Sequence, residues 1–147
     1  MTLYRLHRDS RKAFEYNLTK ENRWNPARTP MLYCGGSVSL CCLEVLVHTD
    51  PDLIPDNLVW SYAELSVAPE VFNEPWDISS VETTRSYGKH WIDSRRSIAM
   101  KIPSVIVPQT NADFNILLNP THSAYTAIHW QKGGTFSFDS RLFEASV

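Results

Sequence analysis

The sequence predicts an α+β fold built on a compact, mainly antiparallel or mixed sheet, and three observations carry that prediction. Short apolar runs closed by glycine or proline recur along the chain, among them MLYC, PSVIVP and NILLNP, which is how strands punctuate a sequence. SVSLCCLEVLVH (37–48) lies between a glycine pair and Pro51 with Ser37 at its head, the arrangement of an N-capped helix. The 5 Trp, 6 Tyr and 6 Phe favour a strand-rich core over a helical bundle.

In chain order, TLYRLH (2–7) reads as a first strand and MLYC (31–34) as a second, ended by Gly35-Gly36. A helix follows over about 38–48, stopped by TDPD. NLVWSYAELSV alternates Leu58, Trp60 and Tyr62 against Val59, Ser61 and Ala63, the period of a half-buried strand. YGKHWIDSRRSIAMKI (87–102) reads as a second helix with Trp91, Arg95 and Ile98 on one side. PSVIVP and NILLNP read as buried strands, and AYTAIHW and TFSFD as two more, separated by QKGG in a hairpin-like turn. On this reading helices dominate the first half and strands the second.

At 147 residues the chain fits one domain, spanning 1–147, of a size that buries about two thirds of its unfolded surface. The formal net charge of −2 gives no electrostatic footprint for nucleic acid or an anionic membrane. Charged residues are 20% of the chain, sparse enough for a partner to cover part of the surface. Cys34, Cys41 and Cys42 are odd in number and clustered, which is no disulfide framework and fits a reducing compartment. MTLYRLHRDSRK is too polar for a signal peptide, and no apolar run approaches the roughly 20 residues that span a bilayer. A cytoplasmic protein is expected.

Glu44 is the one acidic residue between Glu21 and Asp50, and it sits among leucines, valines and cysteines. At 100° per residue, Leu40, Leu43, Leu46 and Val47 share a helix face with Glu44 at its edge. The rest of the helix is apolar too, so it should be covered on most sides. An unpaired buried carboxylate is costly, so Glu44 either meets a cleft, pairs with an arginine, or reaches water at the helix edge. On pattern alone the last two are the ordinary readings. Upstream, NRWNPARTPMLYC supplies Arg23 and Arg28 as cations and Tyr33 at a strand end before the glycine pair. Arginine presents a planar fork suited to phosphate or carboxylate.

RWN, LYCGGSVSLCCLEVLVH, GKHWIDSRRSIAMKIPSVIVPQTNADFNILLNPTHSAY and FSFDSRL, in that order, resemble the RES domain, a family named for its Arg, Glu and Ser. The resemblance runs from LYRL to FDSRL, nearly the whole chain. It implies a compact ADP-ribosyltransferase-like fold, a central mixed or antiparallel sheet with flanking helices. It also implies the toxin half of a bacterial toxin–antitoxin pair, partnered by an Xre-family helix-turn-helix antitoxin and using NAD as its substrate. The family's Arg, Tyr, Glu and Ser fall on Arg23, Tyr33, Glu44 and Ser104. Glu21-Asn22 stands where relatives often carry glycines, and Cys34-Gly35-Gly36-Ser37 where they carry small polar residues.

The expected reaction is cleavage of the nicotinamide–ribose bond by hydrolysis or phosphorolysis, depleting NAD. The alternatives are ADP-ribosyl transfer to a host protein and a non-catalytic module that acts only through its antitoxin. Cleavage builds positive charge on the ribose carbon, and a fixed carboxylate, Glu44, would stabilise it. Arg23 would hold the diphosphate or the adjacent ribose, Tyr33 would stack on nicotinamide, and Ser104 would orient nicotinamide or ribose. Without the resemblance, Ser104 reads as a turn serine after Pro103. Asn119 and Arg141 read as supporting positions or as ties within the sheet.

Other chemistries find less support. Cys41, Cys42 and His48 lack metal-ligand spacing, and His7, His90, His122 and His129 are scattered, so no metal is expected. The paired cysteines read as small apolar groups. A Cys34 nucleophile is conceivable but has no assigned histidine. Neither glycine pair belongs to a phosphate-cradling loop. RSYGKHWIDSRRS is locally basic and reads first as a solvated helix face.

Overall fold

The computed structural model describes residues 1–73, 77–107 and 113–144. A seven-stranded sheet forms its centre: β1 (Thr2–Arg8), β2 (Leu32–Gly35), β3 (Leu58–Glu64), β4 (Glu70–Val71), β5 (Ala99–Pro103), β6 (Phe114–Leu118) and β7 (Trp130–Phe136). Their spatial order is β4-β5-β6-β2-β1-β3-β7. Only the short β4 runs parallel to its neighbour β5; every other pairing is antiparallel. Two helices, α1 (Val38–Val47) and α2 (Val81–Ser94), accompany the sheet. The fold is α+β with a mixed sheet, as the sequence predicts.

β1 meets β3 along its whole length, from Thr2↔Glu64 to Arg8↔Leu58, but touches β2 at Tyr4↔Gly35 alone. Residues opposed across an antiparallel pair project to the same side. Tyr33↔Leu117↔Met100 and Gly35↔Asn115↔Ile102 therefore lie on one face. There Leu117, Met100 and Ile102 pack with Trp91 and Ile92 of α2 and with Trp24 and Met31. The other face carries Leu3, Leu32, Cys34, Ile116 and Leu118, against which Tyr16, Tyr125, Ile128 and Trp130 pack.

Ser37 caps α1, its hydroxyl accepting from the Leu40 N–H at 3.1 Å, as its place in the sequence predicts. The helix buries Leu40 and Cys41. Leu43 and Val47 are exposed, at 39% and 53%, so the helix is less covered than its composition suggests. α2 starts at Val81, six residues before the predicted start, because Ser80 caps it through the Thr83 N–H. Its buried stripe is Thr84, Gly88, Trp91 and Ile92, the i, i+4, i+7, i+8 spacing of one helix face. It ends at Ser94, where Arg95 turns into the left-handed region at φ 50. Residues 99–102, predicted as the end of this helix, instead belong to β5 with Pro103, because their backbone pairs with β6.

Four further expectations fail. PSVIVP does not continue as a strand, since the Ser104 hydroxyl accepts from the Ile106 and Val107 N–H groups and bends the chain; Pro108 lies outside the described residues. AYTAIHW holds a 3-10 turn at Tyr125–Ala127 rather than a strand. QKGG is no hairpin turn but the middle of β7. The Trp60 ring lies so close over Gly133 that an added Cβ would sit 2.4 Å from it, and glycine in a strand interior marks such a close approach. Strands and helices occur in both halves of the chain.

Candidate active site

The segment RWN is held by α2 and β2, each residue differently. Trp24 is 2% exposed and meets Phe72 and Tyr87 edge-on, with ring centroids 4.9 and 6.4 Å away. Asn25 is buried, and its amide nitrogen donates to the carbonyls of Thr29 and Pro26. Arg23 is half-buried, its carbonyl accepting from the Thr84 hydroxyl at 2.6 Å and its guanidinium donating to the Ile78 carbonyl at 3.0 Å. That contact occupies one of the guanidinium's five donors. α2 comes this close because position 88 is glycine: a Cβ there would lie 1.8 Å from the Trp24 carbonyl oxygen.

Tyr33 joins this segment to the sheet. Its hydroxyl donates to Asn25 Oδ1 at 2.6 Å and accepts from the Trp24 N–H at 3.2 Å. Burial raises its titration well above the ordinary range, so it stays a neutral phenol. Arg85, from the basic stretch read as a solvated face, is half-buried near Tyr33. It donates to the Asn22 carbonyl at 2.7 Å and pairs with Glu21 at 3.3 Å. Arg28 plays no such part. It is exposed, in a left-handed turn at φ 67.

Glu44 is half-buried on α1, and its Oε1 accepts from Asn115 Nδ2 at 2.6 Å. It is in no ion pair among the described residues, so the arginine-paired reading does not hold. α1 reaches over β2 because position 35 is glycine, where a Cβ would stand 2.7 Å from Cys41 Sγ. Asn115 and Tyr33 share the sheet face, diagonal to one another, a separation of roughly 7–8 Å. Ser104 is 1% exposed, two residues past the Ile102 that pairs with Asn115. Its turn-serine reading describes its contacts.

Asn119 and Arg141 stand apart from this group. Asn119 is fully buried and ties strand to helix, its amide donating to the Ile92 carbonyl at 3.1 Å. Arg141 is exposed and pairs with Asp139 at 2.8 Å. Cys34 is buried, and burial pushes its thiol up to about 12, which argues against a thiolate nucleophile. The sequence reading missed Asn115 and Arg85. Only the register that puts Asn115 opposite Gly35 marks it out.

A cavity of about 240 Å³ opens where β1 and β2 part, with Arg5, Asn22 and Tyr33 in its wall. A second, of about 550 Å³, adjoins it against His7, Ser61 and Trp130, the two sharing His7, Arg11 and Lys12 in their walls. Neither is lined by Glu44 or Ser104.

On one side of the α+β sheet stand a carboxylate held by an amide and a neutral phenol, with the half-buried Arg23 in the adjoining RWN segment. Residues 2–139 match the RES domain, and the chain belongs to that family. Over 132 residues it is 31% identical to a protein named Prs ADP-ribosylating toxin from Sphingobium sp. (strain YBL2), covering 82% of this chain and 79% of that one. It is 32% identical over 161 residues to Toxin Res of Photorhabdus laumondii, covering 99% of each. Toxin Res of Pseudomonas putida is 31% identical over 149 residues, which cover 97% of this chain and all of that one.

Proposed function

We propose that this chain is the toxin of a toxin–antitoxin pair and that it cleaves the nicotinamide–ribose bond of NAD, by hydrolysis or phosphorolysis. The observation that carries this reading is the hydrogen bond between Asn115 and Glu44, a carboxylate held in place and in no ion pair among the described residues. Charge developing on the ribose carbon in the transition state is what such a group stabilises. Asn115 engages one carboxylate oxygen and leaves the other for a ribose hydroxyl or the oxocarbenium carbon. Arg23 retains donors for the diphosphate. The Tyr33 hydroxyl is committed to Asn25 and Trp24, so the ring face is what it offers to nicotinamide. Ser104 supplies a short polar group at the end of β5. In this reading the sheet and its helices form an ADP-ribosyltransferase-like fold.

ADP-ribosyl transfer to a protein is the second reading, favoured by the name of the Sphingobium relative. Water, phosphate and a side chain would all attack the same activated ribose. The partner in either case is an Xre-family antitoxin. Arg23, Tyr33, Glu44 and Ser104 are all present, which speaks against a module that has lost turnover.

The test is nicotinamide release from NAD by the purified chain beside Glu44→Gln, with and without phosphate. The proposal expects release by the parent, loss of about two orders of magnitude or more in the folded variant, and an acceptor named by the phosphate dependence. Folded parent protein that releases nothing under either condition sinks NAD depletion, and labelled-NAD transfer in a lysate then tests the second reading.

A further inference from the structure

The larger cavity lies on the sheet face opposite Glu44. Arg5↔Ser61↔Lys132 and Leu3↔Ala63↔Trp130 run across β1, β3 and β7, on the side away from the Tyr4↔Gly35↔Asn115 row. Its other wall is the loop after β1, and that wall is fixed in place. The half-buried Arg5 side chain donates to the backbone carbonyls of Ala13 and Glu15. The Tyr125 hydroxyl donates to the Phe14 carbonyl at 2.6 Å. The cavity is therefore braced from both sides, and its volume, about 550 Å³, falls within the range of small-molecule sites.

Its lining combines two chemistries. Phe14, Tyr125 and Trp130 supply flat apolar surface, and the Phe14 ring is 53% exposed. Arg11, Lys12 and Lys132 supply positive charge, against Asp9 as the only acid in the lining. Asp9 pairs with Lys132 at 2.9 Å and Glu15 with Arg11 at 3.1 Å, while Lys12 is in no ion pair among the described residues. At the cavity wall the Trp130 indole Nε1–H is buried without a hydrogen-bond partner among the described residues. Its burial keeps this N–H out of the open cavity, so Trp130 contributes its ring to the wall and its N–H signal as a reporter of changes there.

We propose that this cavity is a second binding site, for a small anion carrying a flat ring, of the nucleoside monophosphate class. The ring lies against Phe14 and Trp130, and the phosphate lies toward Lys12 and Arg11, where charge-assisted hydrogen bonds form. Nothing in this site depends on the reading of Glu44.

The experiment is an NMR titration of the full chain carrying Glu44→Gln, with AMP, adenosine and inorganic phosphate as separate probes. The indole N–H signal missing from Trp130→Phe identifies the reporter. The expected result is a saturable shift of the Trp130 signal with AMP, weaker binding of adenosine and of phosphate, and affinity for AMP lowered about tenfold by Lys12→Glu. The Lys12 side chain is exposed and makes no hydrogen bond or ion pair among the described residues, and its carbonyl, which accepts from the Glu15 N–H, is kept by the substitution, so the variant should fold. AMP shifts confined to residues around Tyr33 and Asn115 would overturn the proposal. So would equal binding of phosphate alone, or no shift of the Trp130 signal.

Discussion

Asn115 Nδ2 donates to Glu44 Oε1 across 2.6 Å, and this contact joins helix α1 to the centre of the sheet. Asn115 is flanked by Gly35 on β2 and Ile102 on β5, so the carboxylate is referenced to a strand paired on both sides. A misplacement of about 1 Å can cost roughly a hundredfold in rate.

Asn115→Ala should therefore lower kcat for nicotinamide release by about 10- to 100-fold while KM changes little, because the amide touches the carboxylate and not the dinucleotide. Asn115→Asp should be worse than Ala, since it sets a second carboxylate against the first. Steady-state kinetics on both variants, with folding checked by circular dichroism, decides it. Equal activity of parent and Asp variant would remove Asn115 from the site.

Tyr33 separates ring from hydroxyl. Tyr33→Phe keeps the ring but leaves the buried Asn25 side-chain Oδ1 and the Trp24 N–H without the hydroxyl they share, a loss of about 1–3 kcal/mol. NAD turnover at a temperature where the variant is folded should remain near the parent's. Tyr33→Leu should lose turnover at comparable stability. Thermal melts and kinetics on the pair separate the two effects; a Phe variant as inactive as the Leu variant would mean that the hydroxyl, not the ring, serves the substrate.

How far the site was readable in the sequence follows from which contacts are local. Ser37 capping α1 and the glycine pair before it were legible because they act within a few residues. Arg23, Tyr33, Glu44 and Ser104 were marked only by resemblance, and Asn115 was not marked at all. Its partner is 71 positions away along the chain, and no periodicity encodes that. The misread QKGG shows the same limit: two glycines signal a turn locally, and only the Trp60 ring from another strand makes them part of β7. In α2, Ser80 precedes Val81 to Thr84, three of whose four side chains are β-branched and disfavour helix, so the local sequence gives little sign of a start there.

Gly88→Ala tests the packing that holds Arg23. The added Cβ would stand 1.8 Å from a backbone oxygen, so α2 or the RWN segment must shift. Helix propensity alone favours alanine by about 1 kcal/mol, whereas overpacking costs roughly 1–3 kcal/mol or more. With a backbone atom as the obstacle, the clash wins. The variant should melt lower than the parent and bind NAD more weakly, because Arg23 moves with Trp24. An unchanged melting temperature would show that the helix seat is looser than this contact implies.

His7 gives a pH dependence with a definite sign. Burial lowers its titration below the ordinary 6.5, opposed by its contact with the Arg8 carbonyl, with nearby Arg5 lowering and Asp9 raising it. Its Nδ1 donates to that carbonyl at 2.9 Å, and its Nε2 accepts from the Ser61 hydroxyl at 2.8 Å. Above the ordinary value the ring is neutral folded and unfolded, and stability does not depend on it. As pH falls through 6.5, the unfolded chain takes up the proton first and stability drops. The drop ends once the pH is below the folded value. His7→Gln, which keeps a donor and an acceptor, should remove this contribution. Denaturant midpoints for parent and variant across pH 5 to 8 should thus converge toward the acidic end if the parent starts more stable. A gap that widens on acidification would mean that folding raises the His7 titration instead.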